Sequence, residues 1–177
     1  MYYGNGACIF TFSDTNLTIQ NTSFEQNLAK GQGGALFLAY EDQNQEDFSF
    51  FNIRNSKFIS NQAVDGSSMY ISGKLNTFLY NTSFFGDISK GSVISSSHLG
   101  SFEFFNVSFQ QNNALHVVYC QQDHATTLSL NNCLFQQNRV SNMIVNSDKC
   151  SFLSINTTFN QNSGIFFFYF FFLTFIF

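Results

Sequence analysis

The chain of 177 residues is 44% hydrophobic, only 10% of its residues are charged, and its formal net charge is −4. An average soluble domain carries about 25% charged residues. The seven Lys and Arg residues are too few to follow a phosphate backbone, which argues against a nucleic-acid partner. The length is sufficient for one domain with a sizeable core.

The composition is unusual because it combines 26 Phe residues with no Pro and no Trp. One interpretation is a disordered, prion-like tract, since Asn, Gln and Ser supply much of the polar remainder. Composition alone does not separate that possibility from a folded protein, whereas periodicity does.

A heptapeptide pattern, Asn-x-x-Phe-x-x-Asn, recurs along the whole chain. Its central residues are Phe24, Phe58, Phe84, Phe109, Phe135 and Phe159. Asp87 replaces the second Asn in the third copy. Successive Phe residues are 34, 26, 25, 26 and 24 positions apart, and the long first step contains a polar insertion at residues 41–47.

The predicted elements follow in the same order in each unit. The opening residues 4–12 resemble residues 33–38 and therefore read as the tail of an earlier unit. Apolar positions on one strand face then precede each heptapeptide: Leu17 and Ile19, Phe51 and Ile53, Leu79 with Thr77, Phe102 and Phe104, Leu128 and Leu130, and, after a slip of one residue, Leu153 and Ile155. A second apolar run follows it, at residues 35–38, 69–71, 92–94, 117–119, 143–145 and 165–168, with a Gly-rich start at residues 31–34 and at Gly66.

This pattern predicts an all-β solenoid, a parallel β-helix of about six coils that is incomplete at both ends. Equivalent Phe residues would form an internal column at the strand spacing of about 4.8 Å, and stacked Asn side chains would hydrogen-bond along it. Asn also tolerates the left-handed conformation that sharp corners require. A β-propeller needs about 40–45 residues in each blade, so these units are too short for one.

Several units resemble a known family pattern. Phe24-Glu25-Gln26-Asn27, Phe58-Ile59-Ser60-Asn61, Phe109-Gln110-Gln111-Asn112 and Phe135-Gln136-Gln137-Asn138 resemble the Phe-x-x-Asn half of polymorphic outer membrane protein repeats, and Gly33-Gly34-Ala35-Leu36 resembles the Gly-Gly-Ala-Ile half. Such repeats are similar to the right-handed β-helices of the pectin-lyase-like superfamily, which include bacterial surface adhesins and large protist membrane proteins. The resemblance implies that fold, but the superfamily contains both enzymes and passive rods.

Candidate chemical groups are few. Asp14, Glu46, Asp47, Asp123 and Asp148 precede the leading strands, and His98 and His124 fall in the same variable region, with His116 elsewhere. An acidic column there would bind calcium or a cationic sugar, or it would simply be a row of solvated turn residues. No pair shows the spacing that glycoside hydrolysis requires. We therefore predict no catalytic residue, no metal site and no cofactor.

The cysteines and sequons bear on location. Cys120 and Cys150 lie in loops of adjacent predicted coils and are candidates for a disulfide, while Cys8 and Cys133 have no assigned partner. Five Asn-x-Ser/Thr sequons begin at Asn16, Asn21, Asn81, Asn106 and Asn156. Four of them use the corner Asn of the repeat, which we expect the fold to bury, so Asn16 is the favoured glycosylation site.

These features divide the chain into repeats at residues 1–164 and an apolar tail at residues 165–177, which is either a truncated membrane segment or a terminal strand. We expect a non-enzymatic, membrane-anchored scaffold at the cell surface or outside the cell, serving adhesion or spacing. Its partners would be surface glycans or other surface proteins, and the full-length protein would be attached to a membrane. The alternative is a carbohydrate-active lyase or hydrolase, which would gather several of the following residues in one groove: Asp14, Asp47, Asp123, His124 and Asp148.

Overall fold

The computed structural model describes residues 8–12, 16–39, 49–121, 127–148, 150–164 and 173–175. These residues form an all-β parallel solenoid of about five turns. They contain no α-helix. The predicted all-β parallel solenoid is therefore confirmed.

The solenoid is built from short strands joined by tight corners. The strands are β1 (Ile9–Phe12), β2 (Leu17–Gln20), β3 (Ser23–Glu25), β4 (Leu36–Ala39), β5 (Ser49–Arg54), β6 (Lys57–Ile59), β7 (Gln62–Ala63), β8 (Met69–Tyr80), β9 (Ser83–Phe85), β10 (Ile88–Ser89), β11 (Ser92–Leu99), β12 (Ser101–Phe105), β13 (Ser108–Gln110), β14 (Asn113–Ala114), β15 (His116–Gln121), β16 (Thr127–Asn131), β17 (Leu134–Gln136), β18 (Arg139–Val140), β19 (Val145–Asp148), β20 (Ser151–Ile155), β21 (Thr158–Asn160) and β22 (Leu173–Phe175).

The strands stack into three faces and one short ladder. Face 1 contains β2, β5, residues 75–80 of β8, β12, β16 and β20. Face 2 contains β3, β6, β9, β13, β17 and β21, and the short ladder after it contains β7, β10, β14 and β18. Face 3 contains β1, β4, residues 69–74 of β8, β11, β15 and β19. All of these pairings are parallel, as the repeat predicts.

The heptapeptide Phe residues form one column inside face 2. Phe24, Phe58, Phe84, Phe109, Phe135 and Phe159 are stacked in that order, with neighbouring ring centroids 4.7–4.9 Å apart and interplanar angles of 9–14°. The first five are buried and Phe159 is partly buried. The predicted internal column is confirmed, and burial of each ring contributes roughly 1.5–3 kcal/mol.

The leading apolar pairs also point inward, with one difference from the sequence prediction. Thr77 fills the expected slot and is fully buried. In the sixth unit the predicted one-residue slip is wrong, because Phe152 is in register with Leu128 and is buried. Leu153 and Ile155 are only partly buried. Since side chains alternate along a strand, keeping the register places both of them on the other side.

Two corners in each coil use the left-handed conformation. The first corner is the first Asn of the heptapeptide, with φ of 49–53° at Asn21, Asn55, Asn81, Asn106, Asn132 and Asn156. The second is the residue before the second Asn, with φ of 52–67° at Gln26, Ser60, Gly86, Gln111, Gln137 and Gln161. The prediction of Asn corners is thus confirmed for the first Asn, but the second Asn points inward.

The Gly-rich starts fit a close approach between coils. A Cβ atom on Gly34 would lie 2.0 Å from the carbonyl oxygen of Ser67 in the next coil. Gly33 and Gly66 have positive φ values of 68° and 60°, which glycine adopts without a steric penalty.

Within the described residues, no helix has both the length and the apolar character needed to cross a bilayer. In the predicted tail, residues 165–172 and 176–177 lie outside the described residues. Strand β22 pairs in parallel with β20.

Candidate functional site

The acidic and histidine side chains predicted as site candidates are mostly outside the described residues. This applies to Asp14, Glu46, Asp47, Asp123 and His124. Asp148 ends β19, where it pairs with Gln121. His98 lies within β11 and pairs with Gly73, so its predicted loop position is wrong.

A carboxylate and a buried histidine lie near the start of face 3. Asp65 Oδ1 accepts hydrogen bonds from the backbone N–H groups of Ser92 and Gly66, at 2.8 and 2.9 Å, and its Oδ2 accepts one from Ser95 Oγ at 2.7 Å. The His116 ring stacks on Tyr119 at a centroid distance of 5.2 Å. Burial lowers the pKa of His116.

This arrangement differs from a Ser–His–acid triad. The Ser95 hydroxyl donates directly to the Asp65 carboxylate rather than to an imidazole nitrogen. His116 Nδ1 lies 3.2 Å from the Met143 carbonyl oxygen. The hydrogen bonds of Asp65 and His116 therefore link neighbouring coils near the start of face 3.

The second Asn of each heptapeptide belongs to a buried amide ladder parallel to the Phe column. Its members are Asn27, Asn61, Asp87, Asn112, Asn138 and Asn162. Asn138 is typical: its Oδ1 accepts from the backbone N–H and Nδ2 of Asn112, at 3.1 and 2.9 Å, and its Nδ2 donates to the Phe109 carbonyl at 2.9 Å. Each ladder side chain after Asn27 thereby accepts the backbone N–H of the ladder residue before it.

Asp87 is the ionisable member of this ladder. Its Oδ1 accepts from the backbone N–H of Asn61 at 2.7 Å, and its Oδ2 accepts from Ser68 Oγ at 2.6 Å. Burial raises the pKa of Asp87 to about 6, while the bonds from Ser68 and Asn61 partly oppose the shift. A carboxylate has no amide N–H to donate to the Phe58 carbonyl, which is what the Asn side chains do in other coils.

The cysteines match the sequence prediction. Cys120 and Cys150 form a disulfide that joins β15 to the segment before β20. Cys133 is free and buried, and burial raises the pKa of its thiol. Cys8 is free and exposed.

The predicted burial of the corner sequons is wrong. Asn21, Asn81, Asn106 and Asn156 are all exposed, because a left-handed corner directs its side chain away from the core. Asn106 Nδ2 donates to Asn81 Oδ1 at 3.1 Å. Asn16 is also exposed, and its Oδ1 accepts the backbone N–H of Phe50 at 2.8 Å.

An open groove runs along the second corner of four successive coils, with a volume of about 690 Å³. One wall carries the corner residues Gly86, Gln111, Gln137 and Gln161, and the other carries Ile88, Asn113, Arg139 and Ser163. The residue between the two walls in each coil is the inward-pointing ladder residue, so its two neighbours flank the groove.

The glutamine wall is itself hydrogen-bonded. Gln111 Nε2 donates to Gln137 Oε1 at 3.2 Å, and Gln137 Nε2 donates to Gln161 Oε1 at 3.0 Å. Gly86 ends the row on one side because it has no side chain. Arg139 is the charged residue of the lining. The groove therefore offers a fixed row of amide donors and acceptors and one guanidinium.

The comparisons with known proteins do not assign a function. No family model matches the chain, and neither a curated protein nor a solved structure is significantly similar to it. Among the described residues, no group of three or more His, Cys, Asp or Glu side chains is placed to hold a metal ion.

Sequence reasoning missed both the groove and the buried carboxylate. The signal for the carboxylate was present, since Asp87 replaces an Asn of the repeat. The groove had a weaker signal, the recurrence of Gln directly before the second Asn in four of the units. The recurring Gln residues are recognisable as a row on the surface only when the left-handed corner at their position is known.

Proposed function

We propose that the chain is a non-enzymatic extracellular or cell-surface scaffold, whose outward residues serve adhesion or whose stacked coils space other domains. The Cys120–Cys150 disulfide between adjacent coils carries this proposal. Structural disulfides persist in oxidising compartments and are rare in the cytosol. The exposed sequon asparagines are compatible with the same location.

The stacking of the coils supports the scaffold part of the proposal. The Phe column and the amide ladder pass through successive coils without depending on any particular outward residue. In a solenoid, each unit is stabilised by its neighbours, so outward side chains are free to diversify. Such a rod suits presentation of a binding surface over several coils.

We also propose right-handed coiling of the pectin-lyase-like kind. Connections between parallel strands of one sheet are right-handed in about 98% of proteins, because of strand twist. Every strand pairing described here is parallel.

The proposal is tested by determining where the protein lies in the cell and which of its cysteines are disulfide-bonded. Antibodies against the chain are applied to intact, non-permeabilised source cells, and cysteines are alkylated before and after reduction. We expect surface labelling and two cysteines that react only after reduction. Labelling that requires permeabilisation, with all four cysteines reactive, would contradict the proposal.

Incubation with neutral and acidic polysaccharides tests the non-enzymatic part. We expect no shortening of the polymer chains. Turnover that copurifies with the folded protein would instead favour a carbohydrate-active enzyme.

A further inference from the structure

The groove between the second-corner wall and the short ladder is lined by equivalent residues of successive coils. The distance between coils therefore limits which ligands can bind along it. Four successive coils line the groove. Coils are about 4.8 Å apart, so the lining extends over about 14 Å. Each glutamine amide carries two N–H donors and two acceptor lone pairs, and the links within the row occupy only part of them. The remaining capacity recurs once in each of the three coils that carry Gln111, Gln137 and Gln161.

A polymer lying along this row must present polar groups at a similar interval. An extended peptide advances about 3.3–3.4 Å per residue and soon falls out of step with the coils. A nucleic-acid strand needs several cations, whereas the lining contains one, Arg139. A hexose unit in an extended chain is close in length to the coil spacing, so successive sugars would meet successive amides.

The lining also favours an uncharged ligand. Seven of its eight residues are neutral, and amide groups pair well with hydroxyls because both donate and accept. Ile88, whose side chain is 49% exposed, offers an apolar surface for the C–H face of a sugar ring. The guanidinium N–H groups of Arg139 can donate to the hydroxyl oxygens of a sugar.

We propose that this groove binds a neutral, linear hexose oligosaccharide of about three units, lying parallel to the solenoid axis at the coil spacing of about 4.8 Å. The inference rests on the proposed adhesive function and names its ligand class. The amide of Gln137 is central, because it is hydrogen-bonded to Gln111 in one neighbouring coil and to Gln161 in the other.

The repeat itself supplies the variants for a test. Gln137→Gly removes the central amide, and it imitates Gly86, which occupies the same corner with a similar φ. Gln26→Gly makes the same change at the equivalent corner of the first heptapeptide, which is outside the groove. Circular dichroism and thermal unfolding establish that both variants fold.

Binding is measured by isothermal titration of the full chain with neutral hexasaccharides of β-1,4-linked glucose, β-1,4-linked mannose and α-1,4-linked glucose. A hexasaccharide of galacturonic acid is the charged comparison. We expect at least one neutral hexasaccharide to bind, at least tenfold weaker binding by Gln137→Gly, and unchanged binding by Gln26→Gly.

Three results would overturn the assignment: no binding of any neutral hexasaccharide, equal binding by Gln137→Gly and the wild type, or preferential binding of the acidic hexasaccharide. The proposed function is tested separately by surface labelling of intact cells. A surface-exposed protein that ignores all of these sugars therefore refutes the groove assignment alone.

Discussion

Ser68 Oγ donates a hydrogen bond of 2.6 Å to Asp87 Oδ2, and both side chains are fully buried. Ser68 lies between Ala35 and Val93 in the stack, because its backbone bonds to both. Ser68 thus stands at a position that is apolar in the neighbouring coils, and Asp87, in the next coil along the chain, stands at a position that is Asn in its neighbours. The two polar replacements occur together, so the hydroxyl partners a carboxyl group that the other coils lack.

The buried carboxyl group predicts that stability falls as pH rises. The pKa of Asp87 is raised from 3.8 to about 6 in the folded state, so the folded protein binds the proton more tightly than the unfolded chain. Its contribution is fully present below about pH 4 and is lost as pH rises through about 6. The difference is roughly 3 kcal/mol. Denaturant unfolding between pH 4 and pH 8 measures it.

Asp87→Asn is the control for that titration. The difference in unfolding free energy between wild type and variant isolates Asp87 from the other carboxyl groups. We expect this difference to change mainly between pH 4 and 6 and to be constant above about 7. A difference independent of pH would show that Asp87 titrates normally.

Restoring the residues of the neighbouring coils should stabilise the protein at neutral pH. Ser68→Ala alone removes a hydrogen bond to a charged group and should cost about 1.5–3 kcal/mol at pH 8. The double variant Ser68→Ala/Asp87→Asn should instead exceed wild type, because the introduced amide can donate to the Phe58 carbonyl. Chemical denaturation of the four proteins gives the coupling energy. Additive effects would contradict a direct partnership.

Removal of one ring from the Phe column should be strongly destabilising. Phe109 is fully buried and stacks on Phe84 and Phe135 at 4.7 and 4.8 Å. Phe109→Ala should cost about 3–5 kcal/mol. Phe105→Ala is the matched control, since Phe105 is 39% exposed, and should cost much less. A loss below about 1 kcal/mol at Phe109 would place its ring outside the core.

Substitution of a residue in the buried amide ladder should lower the free energy of unfolding more than substitution of an exposed neighbour. Asn112 accepts the backbone N–H of Asp87 at 2.9 Å and donates to the Phe84 carbonyl at 3.2 Å. Asn112→Ala leaves both groups unpaired and should cost at least about 2 kcal/mol. Asn113→Ala, one residue away and exposed, should stay within about 0.5 kcal/mol. Equal losses at the two positions would argue against an interior ladder.

The disulfide should stabilise the two coils that it joins. Cys120 and Cys150 are 30 residues apart, and closing a loop of that length contributes about 3.6 kcal/mol by restricting the unfolded chain. The double variant Cys120→Ser/Cys150→Ser should lose about that much in thermal or chemical unfolding. Cys8→Ser, at an exposed free cysteine, should be neutral. An unchanged double variant would mean that the bridge does not form.

The repeat predicted the fold because its signal was redundant. Each unit repeats Phe at one position and apolar residues at two others, and a spacing near 25 residues leaves few architectures. The face of each strand was predictable where apolar and polar residues alternate, as at Leu128 and Leu130. It was not predictable at residues 152–155, because Phe152, Leu153 and Ile155 are all apolar and any of them could face the core. Pairing with the previous coil determines the register there.

The groove was less predictable because it depends on corner geometry. Two Asn residues per heptapeptide look equivalent in sequence, yet Asn106 is an exposed corner and Asn112 is buried. The second corner falls at Gln111 instead. Gln has no special preference for positive φ, so composition did not indicate it. The groove wall follows from that corner, and it became visible only in three dimensions.

The most direct test of the stacked-coil account is a crystal or cryo-EM structure of the chain at side-chain resolution. It should show Phe24, Phe58, Phe84, Phe109, Phe135 and Phe159 as one continuous interior stack, with neighbouring centroids 4.7–4.9 Å apart. A map that places these rings on separate sides of the molecule would contradict the account.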